Sequence, residues 1–225
     1  MLDESDLAYI REHLGFWERL NDGERRTIEG SIAKARFPRG AILRGKDAEC
    51  LGVLLVRSGE LRAYIQGDDG REVTLYRLGA GEVCVLSASC ALDAITFDIL
   101  IDALEDTEVY RINLGAFERL ARQNVWVENF SYKSAIERFS DVMWAVEQLV
   151  FMRFDKRLAI FLLDESIKSK APEVKATHEE IAKLVGSARE VVSRMLKSFE
   201  TQGIVSLGRG TIKVIDREAL KRIAQ

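Results

Sequence analysis

Three textures of hydrophobic and polar positions succeed one another along the chain. From about residue 4 to residue 35 the apolar positions recur at helical spacing. In DLAYIREHLGFWERL they are Leu7, Ile10, Leu14 and Trp17, and NDGERRTIEGSIAKA follows, so short helices are predicted here. From about Arg36 to Arg111 the period shortens. FPRGAILRG, GVLLVRSGELRAYIQ, REVTLYRLG and TEVYRINL are β-branched or aromatic runs punctuated by Gly and Asp. The GDDG between two of them marks a hairpin, because Gly tolerates positive φ. Many short strands at this spacing predict a sandwich or barrel.

From about Gln123 to Met152 the period lengthens again, with no Gly or Pro in the segment. Tyr132, Ile136, Phe139, Met143, Val146 and Val150 follow alternating steps of four and three. Such a heptad seam is the pattern of a helix that pairs with a copy of itself. The competing reading packs the stripe on the chain's own β-domain. A second stripe, Ala135, Val142 and Leu149, is able to serve that intramolecular contact and leave the first for a dimer. Phe154-Asp155-Lys156 reads as a break, with Asp155 placed to N-cap the next helix, KRLAIFLLDESIK.

Residues 177–202, THEEIAKLVGSAREVVSRMLKSFETQ, carry the chemistry. Thr177-x-x-Glu180 is a capping box opening one helix, whose inner face is Ile181, Leu184 and Val185. Gly186 closes it with positive φ. Ser187-x-x-Glu190 reads as a second capping box, opening a helix with Val191, Met195, Leu196 and Phe199 turned inward. In that register the Glu190 carboxylate is engaged by the Ser187 backbone. Two short helices around a Gly turn form a helix-turn-helix. The outer face of the second holds Arg189, Glu190, Ser193, Arg194 and Lys197. Arg bonds guanine O6 and N7, Glu accepts from the cytosine amino group, and Ser and Lys reach phosphate. GIVSLGRGTIKVID follows as a hairpin wing with Arg209 at its tip. Base reading is therefore assigned to Arg189, Glu190, Ser193 and Arg194, and phosphate contact to Thr177, Ser187, Lys197 and Arg209. The competing reading is a solvated helix face without a specific role.

Net charge changes the picture only when it is divided. The chain of 225 residues carries −3 overall, but residues 1–154 hold 19 Lys/Arg against 26 Asp/Glu, and residues 155–225 hold 14 against 10. The basic surplus coincides with the helix-turn-helix. No apolar run approaches the ~20 residues of a membrane span, and the N-terminus does not resemble a signal peptide. Cys50, Cys84 and Cys90 are an odd set without CxxC, which points to the cytoplasm rather than to a disulfide framework. A cupin-like enzyme would need clustered His ligands, whereas His13 and His178 lie far apart on predicted helices; no Walker loop or GxGxxG is present either, so a non-enzyme is expected.

The order of β-roll, long helix, helix-turn-helix and wing resembles the Crp–Fnr superfamily of bacterial regulators. GVLLVRSGELRAYI in the roll and THEEIAKLVGSAREVVSRMLKSFE at the end carry the resemblance, which covers nearly the whole chain. It implies an α+β fold: an antiparallel, jelly-roll-like β-roll with short helices as effector or sensor domain at 1–124, a dimerisation helix at 125–153, and a winged helix-turn-helix at 154–225. It also implies a homodimer on double-stranded DNA with an inverted-repeat operator of TGA-like half-sites, and RNA polymerase as a partner if the protein activates. Residues matching Arg189, Glu190 and Arg194 read guanine and cytosine edges in that family, and the Ser193 position is a Ser in the Fnr-like branch. Many members have Ser or Thr where Ala188 stands, so Ser187 is expected to take over as cap and phosphate donor.

The sensor half departs from the family further. Where cyclic-AMP-binding members have a Gly-Glu pair this chain has Val85 and Leu86, and their Arg-Ser positions fall near Phe97 and Asp98. No Lys or Arg lies between Arg77 and Arg111, while Asp93, Asp98, Asp102, Glu105 and Asp106 do. Cyclic AMP is therefore not expected. No cysteine precedes Cys50, so the Fnr-type iron–sulfur cluster is not expected either. Haem stays open, with His13, the cysteines and the methionines as available donors. The effector is unknown. Cys84, Leu86, Cys90 and Phe97 are the candidate pocket, with Cys84 and Cys90 either small buried hydrophobes or a redox pair. Two other readings remain: a regulator competent for DNA without an effector, and a metal-free ligand-binding protein whose helix-turn-helix contacts protein.

Overall fold

The computed structural model describes residues 2–44, 51–85 and 99–225. By contact the chain divides into two units, one of residues 1–65 with 75–143 and the other of 66–74 with 144–225. The boundary falls inside the long helix, which the expected division treats as a segment of its own.

The first unit opens with α1 (Glu4–His13). Asp3 accepts the Asp6 N–H at 2.8 Å and the Asp6 carboxylate accepts the Asp3 N–H at 3.1 Å, a closed capping box. Asp6 is buried and also accepts from Lys34 Nζ and Tyr110 Oη, each at 2.7 Å. Burial by itself pushes its carboxyl up, but the Lys34 and Tyr110 bonds overrule that and hold it at about 2. A 3₁₀ turn (Trp17–Arg19) and α2 (Asp22–Glu29) follow.

The predicted helical texture ends earlier than expected. Ile32, Ala33, Lys34 and Ala35 belong to strand β1 (Ile32–Phe37), which pairs residue for residue with β8 (Thr107–Ile112). The helix has stopped at Gly30, and an unpaired β8 edge outweighs the weak helical preference of IAKA. One four-stranded sheet runs β1-β8-β3-β6, with β3 (Val53–Ser58) and β6 (Val83–Cys84). The other runs β2-β7-β4-β5, with β2 (Ile42–Arg44), β7 (Leu100–Ala103), β4 (Leu61–Gln66) and β5 (Glu72–Leu78). The GDDG turn joins β4 to β5 as predicted, closed by Gly67 N–H to Arg71 O at 2.9 Å.

Strand β3 explains why GVLLV reads as a continuous apolar run. Val53 and Leu55 pair with Ile112 and Tyr110 and pack with Ile10, Leu14, Phe16 and Phe117, while Leu54 and Val56 on the opposite face are equally buried. A sheet covered on both sides has no polar face to alternate with. Gly52 enters β3 at φ +78°, and a Cβ there would lie 2.1 Å from Ile112 O. That approach admits only Gly.

Helix α3 (Leu114–Gln123), capped by Asn113, leads through Asn124 into α4 (Val125–Phe151). The two faces of α4 divide as predicted. Ala135, Val142 and Leu149 are half-buried, beside the buried Val127, Ser134 and Arg138. The heptad stripe lies bare, at 41–66% exposed from Tyr132 to Val150. Within the first unit, Tyr132, Ile136, Phe139 and Met143 are not covered by any described part of the β-domain. No helix among the described residues is long and apolar enough to cross a membrane.

Candidate nucleic-acid interface

The second unit is built on a core of its own. Leu158 and Leu162 of α5 (Phe154–Lys168) meet Ile181 of α6 (His178–Val185), and Val192, Leu196 and Phe199 of α7 (Arg189–Thr201). Ile212 of β11 (Thr211–Val214) and Leu220 of α8 (Arg217–Ala224) complete it. Strand β11 pairs on one side with β10 (Val205–Gly208) and on the other with β9 (Glu173–Val174).

Helix α6 begins as the sequence predicts. Thr177 Oγ1 accepts the Glu180 N–H at 3.2 Å, and the Glu180 carboxylate accepts the Thr177 N–H at 2.7 Å. The Thr177 hydroxyl keeps its own proton to donate outward. Gly186 ends the helix at φ +62°, and both its N–H and that of Ser187 bond to Ala182 O. A Cβ at Gly186 would meet Leu149 Cδ2 at 2.7 Å, so conformation and packing both require Gly.

Helix α7 does not begin as predicted. Ala188, not Ser187, is the N-cap; it is extended, at φ −88° and ψ 146°, and no side chain caps the helix. Ser187 lies one residue outside, half-buried in the turn. Gly186 is left-handed and Ala188 is still extended, so helical dihedrals start one position later than the S-x-x-E spacing implies. This correction frees Glu190 from a capping role and leaves the first backbone N–H groups of α7 without a side-chain acceptor. A smaller shift follows inside the helix: Val192 is the buried residue, and Val191 is half-buried. Asp155 is likewise not a cap. Arg153 holds the N-cap position of α5, and Asp155, inside the first turn, accepts the Lys156 N–H at 3.0 Å and pairs with Arg153.

The outer face of α7 is assembled as expected. Arg189, Glu190, Ser193, Arg194 and Lys197 are all exposed on a helix whose opposite side is anchored in the core. Among the described residues Arg189, Arg194 and Arg209 have no ion-pair partner, whereas Lys197 Nζ lies 2.7 Å from Glu200. That Lys197 bond, with a second from the Leu207 N–H, holds the Glu200 carboxyl below its ordinary range. The wing is a two-residue hairpin with Arg209 and Gly210 at its tip, Gly210 at φ +71°. A cleft of about 270 Å³ separates the wing from the starts of α6 and α7. Thr177, His178, Glu179, Arg189 and Thr211 are among its walls. Sequence reasoning had not placed His178 at this surface; its position directly after the Thr177 cap was the available signal.

Residues 156–223 match the family described as Crp-like helix-turn-helix domain, and residues 34–124 match the cyclic nucleotide-binding domain. The cyclic AMP receptor protein of Thermus thermophilus is 30% identical over 201 residues, covering 87% of this chain and 92% of its own. The chain belongs to the Crp/Fnr family of transcription regulators. A crystal structure of a putative Crp/Fnr-family regulator from Eubacterium rectale superposes with a TM-score of 0.90 at 39% identity, covering 95% of this chain and 99% of that one. The cAMP-activated regulator Vfr of Pseudomonas aeruginosa is 27% identical over 173 residues, 73% of this chain and 81% of its own.

In this Crp/Fnr protein, Cys84 is the one candidate pocket residue among the described residues. Cys84 is fully buried, its Sγ 3.6 Å from Tyr76 Oη, and burial pushes the Tyr76 phenol well above its ordinary range. Leu86, Cys90 and Phe97 lie outside the described residues. Val85 is a buried core residue. The structure also supplies charges that the local sequence did not reveal. Arg62, at 1% exposed, binds Asp102 across β4 and β7 through Nε at 3.0 Å and Nη2 at 2.6 Å, stacked on Tyr64. Arg77 pairs with Glu60 at 2.6 Å, and Arg138 of α4 pairs with Glu82 and Asp141. His13 stacks on Tyr9, its Nδ1 2.8 Å from Tyr9 O.

Proposed function

We propose that this Crp/Fnr regulator acts as a homodimer that lays the exposed face of α7 into the major groove of an inverted-repeat operator. The observation that carries this is the pairing of a bare polar face with a firmly packed inner one on α7. Arg189, Glu190, Ser193 and Arg194 present guanine- and cytosine-reading groups with no internal duty. Thr177, Ser187, Lys197 and Arg209 surround them as phosphate contacts, and the uncapped N–H groups of α7 add a backbone donor for the same purpose. In the dimer, α4 pairs with its copy along Tyr132, Ile136, Phe139, Met143, Val146 and Val150. The two α7 helices then enter successive major grooves about 34 Å apart. The protein works in the cytoplasm, where its DNA is, and activation would add RNA polymerase as a partner.

Control comes from a small molecule or redox signal other than cyclic AMP. A cyclic phosphate needs an available cation. Arg62, Arg77 and Arg138 are each matched to a carboxylate, and Val85 occupies the position where a cradle needs glycine. Full burial of Cys84 favours its role as a small hydrophobe in the wall of an effector pocket over a solvent-facing thiol switch.

Fluorescence anisotropy tests the reading. A duplex selected from random DNA is titrated with wild type and Arg194→Ala over a salt series, in reduced and oxidised protein. Tight binding that weakens steeply with salt and is lost in the variant supports it. Binding that Arg194→Ala leaves intact refutes the assignment of α7 as the reading helix.

A further inference from the structure

The cleft between the wing and the starts of α6 and α7 is more than a gap in the protein–DNA surface. Its floor is the buried Ile212 and its rim is polar. His178 opens α6 there, half-buried, with no hydrogen-bond partner for its ring among the described residues. Arg189 faces it from the first turn of α7. Thr177 borders the same space with a hydroxyl free to donate, and the first N–H groups of α6 add positive potential. These donors come from separate elements and converge on a space of about 270 Å³, which accommodates a phosphodiester group.

The charges around His178 are mixed. Glu179 lines the cleft beside it on α6, and Glu180 is committed to the Thr177 cap. Arg189 lines the cleft from α7, and the wing carries Arg209 at its tip and Lys213 two residues beyond Thr211 on β11. Glu173 of β9 sits opposite Lys213 in register. A neutral imidazole leaves Arg189 and Glu179 roughly balancing each other in the cleft. A protonated one tips it towards an anion.

We propose that this cleft seats a backbone phosphate of the bound duplex and that His178 is its proton-dependent member, so that operator affinity rises with acidity. This rests on the reading of α7 as the DNA-reading helix. Imidazole as a side-chain class changes charge between about pH 5 and 8. A phosphate beside the ring favours the protonated form, so binding takes up a proton. The gain is therefore present on the acid side and lost as pH rises.

The test is anisotropy of the full-length protein on the selected duplex, over salt, from about pH 8 to about pH 6. Wild type is expected to gain roughly two- to fivefold in affinity on acidification, the size of one partly exposed ion pair. Its salt slope should steepen by about 0.9, one further phosphate neutralised. His178→Gln should match wild type at the alkaline end and stay flat, and His178→Arg should be flat at the tighter, acid-end affinity. Circular dichroism checks that both variants are folded. A pH-independent wild type, or a His178→Gln variant that keeps the gain, overturns the proposal. If that flat binding still depends on Arg194, the DNA reading stands and only the His178 inference falls. If no duplex binds at any pH, both fall. Inorganic phosphate is the third arm. Perturbation of the His178 ring resonances by submillimolar phosphate without DNA would mark a free-anion site instead, and would also overturn the duplex assignment.

Discussion

Helices α4 and α7 both turn a long face to solvent, and the two faces are chemical opposites. On α4 the exposed positions are Tyr132, Ile136, Phe139, Met143, Val146 and Val150; on α7 they are Arg189, Glu190, Ser193, Arg194 and Lys197. An apolar stripe in water gains free energy from any partner that removes it, and the heptad period selects a second helix of the same kind. A charged face gains nothing from simple burial and loses its hydration. It is matched only by a partner that returns hydrogen bonds and opposite charge, as a nucleic-acid groove does. The same degree of exposure thus suits a second apolar helix in one place and a polyanion in the other.

The largest effect should come from breaking the apolar face. Phe139→Asp puts a charge into the seam, so sedimentation should show monomers. Operator affinity should fall by about 10²–10⁴-fold, because each half-site would then be bound alone. A variant that stays dimeric would show that α4 does not form the interface. Next comes the polar face: Arg194→Ala should cost about 1–3 kcal/mol on the matched site and relax preference at a single base pair, read from a panel of duplexes.

The two helix starts sharpen the comparison at a smaller scale. Thr177→Ala removes a working cap from α6 and should cost about 1 kcal/mol of stability, while Ala188→Ser offers α7 the cap it lacks and should return a similar amount. Calorimetry should find a lowered Tm in the first and a raised one in the second. No rise with Ala188→Ser would mean the α7 start is already satisfied. The smallest effect is expected at Lys197. Its bond to Glu200 is exposed and contributes little to folding, so Lys197→Ala should leave Tm unchanged. The variant should weaken binding to all duplexes alike and lower the salt slope by about 0.9.

Much of this was legible in the sequence because it depends on residues close together in the chain. The 4-3 stepping of α4, the Thr177–Glu180 box, the Gly186 turn and the GRG wing tip are local signals, and each forms where expected. The misplacements share a cause. Ser187 and Glu190 have the spacing of a box, but the extended Ala188 is the N-cap and the start of α7 moves to Arg189. Asp155 is a good cap by type and stands two residues too far in. IAKA has little preference of its own and was decided by the free edge of β8. The pairing of Arg62 with Asp102 was out of reach for a stronger reason: 40 residues separate them, and only the register of β4 on β7 brings them together.

By itself, then, the sequence determined the order of the elements, the apolar period of α4 and the composition of the face that α7 turns outward. Those properties follow from side-chain spacing on a helix or strand, which needs no tertiary partner to be defined. Only the tertiary structure decided which face of α4 stays bare, where α7 begins, which arginines of the roll are already matched to carboxylates, and that His178 stands at the cleft beside the wing. Each of these depends on groups brought together across the fold, and no periodicity along the chain records such a meeting.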